Sequence, residues 1–188
     1  MIKKSIRPFG MDFDLEKGIM KNPEKIIVRK ASDMRGYYTD EKALEKIIKK
    51  QADPIHYEVF EKPVPEEDGH LYFCISKLWP GLVGNEYFMT KGHYHKVEKT
   101  AEIYLCLRGE GYMLMKTEEG KCVAEPMKKN KMIYVPPYWA HRSVNIGNTP
   151  LISLCVYPAQ AGHNYKDIEK KGFPKRIYNR KGKICIDE

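Results

Sequence analysis

Short segments in which apolar and polar residues alternate fill the middle of the chain. Tyr, Val and Ile are frequent within them, and Gly, Pro and Asn separate them, as is typical of β-strands joined by tight turns. The long crossovers of a parallel sheet are missing, so the pattern predicts an antiparallel sandwich or small barrel. We expect core strands at 55–60, 71–79, 86–90, 101–107, 112–116, 131–135, 141–145 and 151–157, with further strands at 26–29, 176–178 and 183–186.

Two short helices are predicted outside the core strands. Asp40 can cap the first, which ends near Gln51 and carries one apolar stripe of Ala43, Leu44, Ile47 and Ile48. The second runs from about 165 to 171, with Asn164 as its cap and Gly172 as its stop. We therefore expect a core barrel at about 55–160, with N- and C-terminal extensions packing on it.

The alternation in three strands separates aliphatic positions from a mixed set of hydroxyls, thiols and one carboxylate. In the strand at 101–107, Glu102, Tyr104 and Cys106 share one face, and aliphatic side chains the other. The strands at 71–79 and 151–157 have mixed faces formed by Tyr72, Cys74, Ser76, Ser153, Cys155 and Tyr157. A barrel with a polar pocket inside would produce this pattern, with the aliphatic faces packed against another layer. The alternative is a half-exposed sheet whose mixed face meets solvent.

Composition narrows the class of protein. Apolar residues make up 42% of the 188 residues, enough for one core, so we expect a single domain over 1–188. No apolar run approaches the roughly 20 residues of a membrane helix, and the start lacks the apolar block of a signal peptide, which favours a cytoplasmic protein without a membrane partner. The net charge of +8 comes from 33 basic residues interspersed with 25 acidic ones, without a recognition helix, so we expect no nucleic-acid partner. A basic surface would attract an anionic substrate.

The strongest chemical signal is a set of potential metal ligands. His93 and His95 are two residues apart, so on an extended strand they point to the same side. Glu102 follows after a short turn, and His141 ends a Pro-Pro-Tyr-Trp-Ala-His segment. Three imidazoles and a carboxylate suit a catalytic divalent transition metal that keeps positions open for water or substrate. The sequence therefore predicts a metalloenzyme.

The spacing of these ligands resembles the two motifs of the cupin superfamily. The matching positions are His93, His95, Glu102 and Gly109 in the first motif, and Pro136, His141 and Asn145 in the second. Glycines of the motifs are replaced by Tyr87, Asn130 and Tyr138. The gap between His95 and Glu102 is longer than in the family, so Glu98, nearer in sequence, is an alternative ligand. We prefer Glu102, because it fits the downstream spacing. The resemblance implies a cupin fold, a double-stranded β-helix or jelly-roll barrel with a few short peripheral helices.

Longer stretches resemble a narrower family, the cupin-type glucose-6-phosphate isomerases of archaea. They are Asp-Pro-Ile-His-Tyr-Glu-Val at 53–59, Thr-Lys-Gly-His-Tyr-His at 90–95, Ala-Glu-Ile-Tyr at 101–104, the block at 134–147 and Tyr-Pro-Ala-Gln-Ala-Gly-His-Asn-Tyr at 157–165. The resemblance implies an aldose–ketose isomerase of glycolysis and gluconeogenesis that interconverts glucose 6-phosphate and fructose 6-phosphate. It also implies a homodimer with one divalent transition metal per subunit, usually Fe2+, with Mn2+, Ni2+ or Zn2+ as substitutes.

The same resemblance gives roles to individual residues. The metal ligands would be His93, His95, Glu102 and His141. The phosphate would be held by Tyr57, Ser76, Thr90, the backbone of Gly92, and Tyr157. The sugar would be contacted by Tyr104, Tyr138, His163 and Tyr165. The catalytic candidates are Glu102 as the base, His163 in ring opening, and Tyr104.

The hydrogen that moves between C1 and C2 can follow either of two routes. Proton transfer through a cis-enediol needs one base and an electrophile, whereas a metal-assisted hydride shift needs no base. A carboxylate tightly bound to a metal is a poor base, so Glu102 would have to bind weakly or shift in the first route. The sequence is compatible with both.

Two other functions are compatible with the same fold. A metal-dependent dioxygenase can use a similar set of ligands for iron. A non-catalytic sugar-phosphate-binding cupin would keep the pocket without turnover.

Overall fold

Strands make up most of the structure. The computed structural model describes residues 6–187. It contains a 3-10 helix (Ala31–Met34) and the α-helices α1 (Glu41–Lys50) and α2 (Lys166–Lys171). The strands are β1 (Phe13–Asp14), β2 (Ile19–Met20), β3 (Lys25–Lys30), β4 (Ile55–Glu61), β5 (Leu71–Leu78), β6 (Leu82–Val83), β7 (Glu86–Tyr87), β8 (Tyr94–His95), β9 (Glu102–Arg108), β10 (Glu110–Lys116), β11 (Cys122–Lys128), β12 (Met132–Val135), β13 (Ala140–Asn145), β14 (Leu151–Pro158), β15 (His163–Asn164), β16 (Arg176–Arg180) and β17 (Lys183–Asp187). The prediction of an all-β fold with short helices is confirmed.

Two antiparallel sheets enclose the main core. The larger sheet has the strand order β12-β9-β14-β5-β4-β3, and the smaller has the order β11-β10-β13. Side chains of both sheets meet in one hydrophobic cluster, to which the larger sheet contributes Cys106 and the smaller contributes Met113. The segment 90–95 runs beside β13, where His93 forms an isolated antiparallel bridge with His141. The segment with the predicted ligands is therefore held against the smaller sheet.

The mixed faces of the larger sheet point into the barrel. On β9, Glu102, Tyr104 and Cys106 are buried, whereas Ile103 between them is 36% exposed. A side chain on every second residue of a strand lies on the same face, so the polar members of this set all face the interior. The alternative in which the mixed face meets solvent is therefore wrong.

The outer, aliphatic face of the larger sheet is only partly covered. Met20 from the β1–β2 hairpin packs there in a second cluster with Phe60, Ile75 and Ile152. Other large apolar side chains on strands of this sheet remain well exposed, among them Leu71, Met132 and Tyr134. The N-terminal extension thus covers one part of the face and leaves another part open.

Two strand predictions need correction. Only Glu86–Tyr87 of the predicted strand at 86–90 is regular, because the chain then turns to hydrogen-bond along β13, where Thr90 N donates to Ser143 O at 2.9 Å. The strand β11 was not predicted, since its charged residues and Pro126 hide the alternation. It lies at the edge of the smaller sheet, where proline is tolerated.

Both predicted helices are present. The Asp40 side chain accepts a hydrogen bond from Ala43 N at 2.8 Å and caps α1. The helix α2 ends at Lys171, directly before the predicted stop Gly172. Its N-cap is Tyr165, so the prediction of Asn164 as the cap is wrong, because the Asn164 side chain accepts from Lys166 N at 3.3 Å in the turn that precedes the helix. Within residues 6–187, no helix is long and apolar enough to cross a membrane.

Candidate metal centre and substrate pocket

Four predicted ligands converge at one wall of the barrel. One ligand atom each from His93, His95, Glu102 and His141 lies within 4.8 Å of all the others. The backbones of His93 and His141 exchange two hydrogen bonds, of 3.2 and 3.1 Å, so the two imidazoles are fixed side by side. His95 lies on β8, and Glu102 is the first residue of β9. Three separate parts of the chain therefore supply the cluster.

Ring nitrogens of three histidines converge with the Glu102 carboxylate. His95 Nδ1 lies 3.1 Å from Thr100 O, which can only accept, so Nδ1 carries a proton. His95 Nε2 then faces Glu102 Oε2 at 3.0 Å. The same carboxylate oxygen lies 2.9 Å from His141 Nε2, and His93 Nε2 is buried without a hydrogen-bond partner among the described residues. Three imidazoles and one carboxylate are ligands that a divalent transition metal takes, so the residues fit a bound metal.

Two of the four ligands have the protonation states that a metal needs. Burial acts to raise the pKa of Glu102, but the neighbouring His141 and His95 outweigh it and bring the pKa to about 2. Burial lowers the pKa of His93 well below its ordinary value, and the surrounding imidazoles lower it further. At neutral pH Glu102 is thus a carboxylate and His93 an unprotonated imidazole, the form in which each binds a metal.

The long gap between His95 and Glu102 forms a supporting turn. Thr100 N donates to Val97 O at 3.1 Å, and the Thr100 hydroxyl donates to the same oxygen at 2.6 Å. This turn places Thr100 beneath His95, whose orientation it fixes. Glu98 lies outside the cluster and lines a different cavity with Tyr94. The structure therefore brings Glu102, and not the alternative Glu98, to the other ligands.

A cavity of about 130 Å³ opens beside the cluster. Eight of the nine predicted substrate residues line it. They are Tyr57, Ser76, Thr90, Gly92, Tyr104, Tyr157, His163 and Tyr165. Because β15 pairs with β8, His163 lies opposite His95, and its ring is 4.3 Å from that of His93. Metal ligands and candidate substrate contacts thus share one pocket.

Tyr138 is the exception, and its predicted place in the substrate pocket is corrected here. Its side chain is 60% exposed and lines the separate cavity with Tyr94 and Glu98. The backbone of Tyr138 has a left-handed φ of 68° and donates to Glu98 O at 2.8 Å. This turn directs the side chain away from the barrel interior.

Gly92 lies where the ligand segment is closest to β13. A Cβ atom at this position would be 2.8 Å from the Phe173 ring and 2.9 Å from His141 O, and φ is +74°. The buried guanidinium of Arg142 donates to Lys91 O at 2.6 Å and holds the preceding peptide. Only glycine therefore fits here without moving His141.

The sequence reasoning missed a charged wall contributed by β3 and β4. Arg29 lines the pocket directly opposite its register partner Tyr57. Lys25 also lines it, but its Nζ lies 2.7 Å from the buried carboxylate of Glu61, which accepts from Tyr72 at 3.0 Å as well. Lys25 and Arg29 are four residues apart and so share one face of a strand, but Lys25 lies just outside the predicted strand at 26–29.

The fold and site together identify the class of protein. An antiparallel barrel that gathers three histidines and one glutamate beside an internal pocket is that of a cupin. Among known families, the model described as glucose-6-phosphate isomerase matches residues 28–186. The chain belongs to the glucose-6-phosphate isomerase family, as its sequence predicted.

Individual relatives agree with this family. A glucose-6-phosphate isomerase of Thermococcus gammatolerans is 48% identical over 180 residues, which cover 96% of this chain and 94% of the relative. One of Pyrococcus furiosus is 46% identical over 179 residues, which cover 95% and 94%. A solved structure from work on the mechanism of oxalate oxidase is 16% identical, with a TM-score of 0.49, and the match covers 60% of this chain and 56% of that chain.

Proposed function

We propose that this chain is a metal-dependent glucose-6-phosphate isomerase that interconverts glucose 6-phosphate and fructose 6-phosphate. The observation that supports it most is the cluster of three histidines and Glu102 on the wall of a pocket lined by phosphate-binding groups. His93, His95, Glu102 and His141 would hold one divalent ion, Fe2+ in the first place, with Mn2+, Ni2+ or Zn2+ as substitutes. When bound, such an ion supplies an electrophile for the oxygens on C1 and C2.

The hydrogen-bond donors along the pocket suit a phosphate, and the end formed by β3 and β4 adds a positive charge. Tyr57 and Tyr157 stay protonated hydrogen-bond donors, because burial raises the pKa of each phenol. Thr90 accepts from Ser143 N at 3.1 Å and keeps its hydroxyl proton for a ligand. With Ser76 and the Gly92 backbone these are neutral donors, and Arg29 adds the positive charge that a phosphate dianion favours.

Proton transfer would involve three residues at the metal end. Glu102 is a carboxylate at neutral pH and could take a proton from C2 or C1. Tyr104 stays protonated, since burial and the adjacent Glu102 raise its pKa, so its hydroxyl can donate to the substrate. Burial lowers the pKa of His163, so this imidazole at the pocket rim can accept a proton during ring opening. The alternative hydride shift would use the same binding groups without the base.

We also propose that two copies form a dimer. The exposed apolar side chains on the outer face of the larger sheet support this, because association would cover side chains such as Leu71, Met132 and Tyr134. Sedimentation velocity measures the mass directly, and a monomer at micromolar concentration would contradict the proposal. The single-domain organisation over 1–188 and the cytoplasmic location stay predictions.

A chelation-controlled assay tests the isomerase proposal. The protein is stripped of metal, and fructose 6-phosphate formation is measured with a coupled assay before and after adding back each divalent ion. We expect turnover to be lost on stripping and restored by Fe2+. Full activity of the metal-free protein would refute the metal role. Substrate-dependent oxygen uptake would instead indicate a dioxygenase. Tight binding of the sugar phosphate without turnover under any metal would indicate a non-catalytic binding protein.

A further inference from the structure

Two thiols lie side by side in the lining of the pocket. Cys74 of β5 and Cys155 of β14 are direct register partners in an antiparallel pair, and both line the cavity. They are 5% and 2% exposed, respectively. Their place in the cavity lining makes them accessible to a small solute that enters the pocket, although bulk solvent hardly reaches them.

The strand register places the two thiol side chains next to each other on one face of the sheet. Directly opposite residues of an antiparallel pair have Cα atoms about 4.5–5.5 Å apart, with both side chains on the same face. Cys155 is also the register partner of Tyr104 on β9, and Cys155 Sγ lies 3.9 Å from Ser153 O. Tyr104 is two residues from Glu102 on the same face of β9, so the thiol pair lies near the metal cluster without belonging to it.

A third thiol nearby, that of Cys106, does not belong to this site. Cys106 is fully buried, and its Sγ is directed to Arg108 O at 3.6 Å and Gly109 O at 3.9 Å. It is not among the residues that line the cavity. The site therefore offers two sulfur ligands, which suits an ion that binds two thiols better than one that needs three.

We propose that Cys74 and Cys155 form a second binding site, selective for soft thiophilic centres such as trivalent arsenic. Sulfur ligands select soft ions, whereas the imidazole and carboxylate cluster nearby suits borderline transition metals, so one pocket would hold two sites of different preference. With arsenous acid, two As–O bonds break and two As–S bonds form. The two thiol protons leave with the two hydroxyl groups as water, and no atom changes oxidation state.

Occupation of the dithiol would block the substrate. Cys74 and Cys155 lie between Ser76 and Tyr104 along the pocket wall, so a bound arsenic atom would project into the cavity of about 130 Å³. We therefore expect arsenite to inhibit in competition with the sugar phosphate. The binding itself does not depend on the isomerase proposal.

Arsenic stoichiometry tests the site directly. The full-length metal-loaded protein is incubated with sodium arsenite and desalted, and bound arsenic is measured by mass spectrometry. We expect one arsenic atom per chain, released by 2,3-dimercaptopropanol. Cys74→Ser and Cys155→Ser should each weaken arsenite binding by roughly 100-fold, because the second bond no longer acts intramolecularly. Cys185→Ser, a matched change on β17 outside the pocket, should bind as the wild type does.

Peptide mapping keeps the test independent of variant folding. Bound arsenite should protect Cys74 and Cys155 together from alkylation in the wild-type protein. Absence of stoichiometric arsenic in the folded wild type, or arsenic that is retained in both serine variants, would overturn the proposal. A protein that binds arsenic at these two cysteines but does not turn over glucose 6-phosphate would contradict only the isomerase proposal.

Discussion

The two ends of the pocket have opposite polarity. At the metal end, the ring nitrogens of His95 and His141 and the Glu102 carboxylate converge within hydrogen-bond distance. At the phosphate end, formed by β3 and β4, the positive charge of Arg29 lies opposite Tyr57. One end therefore suits a metal cation and the other an anion, as a sugar phosphate with its far end at a metal would need.

The two ends are also built differently. The metal end depends on short backbone pairing, because the segment 90–95 is bonded directly to β13. The phosphate end combines that segment with β3 and β4, which are distant in sequence. We therefore expect substitutions at the metal end to abolish function, and those at the phosphate end to weaken substrate binding in a graded way.

Removing one imidazole should have the largest effect. His93→Ala and His141→Ala each remove a ligand, so we expect loss of stoichiometric metal and a fall in kcat/KM of roughly a thousandfold or more. Metal content by mass spectrometry and the coupled assay measure the two effects. His70→Ala is the control, since His70 lies outside the pocket and the cluster. Retained metal in both site variants would contradict the assignment of the ligands.

A methyl group at position 92 should damage the support of the metal end. Gly92→Ala combines a left-handed φ with contacts of 2.8–2.9 Å, so we expect a loss of roughly 2–4 kcal/mol in the free energy of unfolding. Gly36→Ala has a similar φ of +80° but open space around it, and should cost only about 1–2 kcal/mol. Urea denaturation of both variants measures the difference. Equal losses would mean that the close approach to His141 does not matter.

The carboxylate of Glu102 should make the metal-free protein sensitive to acid. Its pKa is lowered to about 2 in the folded state, so it stabilises the fold at pH values above the ordinary carboxyl pKa. This contribution is lost as the pH falls from the ordinary pKa of a carboxyl group toward 2. In Glu102→Gln the contribution is absent, so the stability difference between the two proteins should shrink on acidification by on the order of a few kcal/mol. Thermal unfolding between pH 7 and pH 3 tests this, and parallel curves would contradict it.

Neutralising Arg29 should weaken the phosphate end while leaving the metal end intact. For Arg29→Gln we expect KM for glucose 6-phosphate to rise by roughly 10- to 100-fold, the worth of one charge-assisted hydrogen bond, with little change in kcat or metal content. Lys30→Gln removes a charge from the adjacent exposed position and is the control. An unchanged KM in Arg29→Gln would remove this residue from the phosphate site.

The smallest effect is expected at Tyr138. Its side chain is exposed and outside the pocket, so Tyr138→Phe should change kcat/KM by less than about twofold. Tyr104→Phe is the matched comparison, since it removes a buried hydroxyl inside the pocket beside Glu102, and its kcat should fall. A large loss in Tyr138→Phe would return that residue to the substrate site.

The sequence by itself determined those features that depend on local periodicity. The alternation of Glu102, Tyr104 and Cys106 predicted a strand with a polar inner face, and the spacing of His93 and His95 predicted two imidazoles on one side. The cap of α1 at Asp40 is equally local. Each follows from the repeat of a strand or helix, which the chain specifies within a few residues.

Only the tertiary structure decided the features that need two distant segments in register. Pairing of β3 with β4 brought Arg29 to Tyr57, and pairing of β5 with β14 set Cys74 against Cys155. The direction of Tyr138 depended on a left-handed turn that a motif does not show. The reason is physical: alternation assigns a side chain to a face, but the residue across from it is fixed by strand register, which the whole barrel determines.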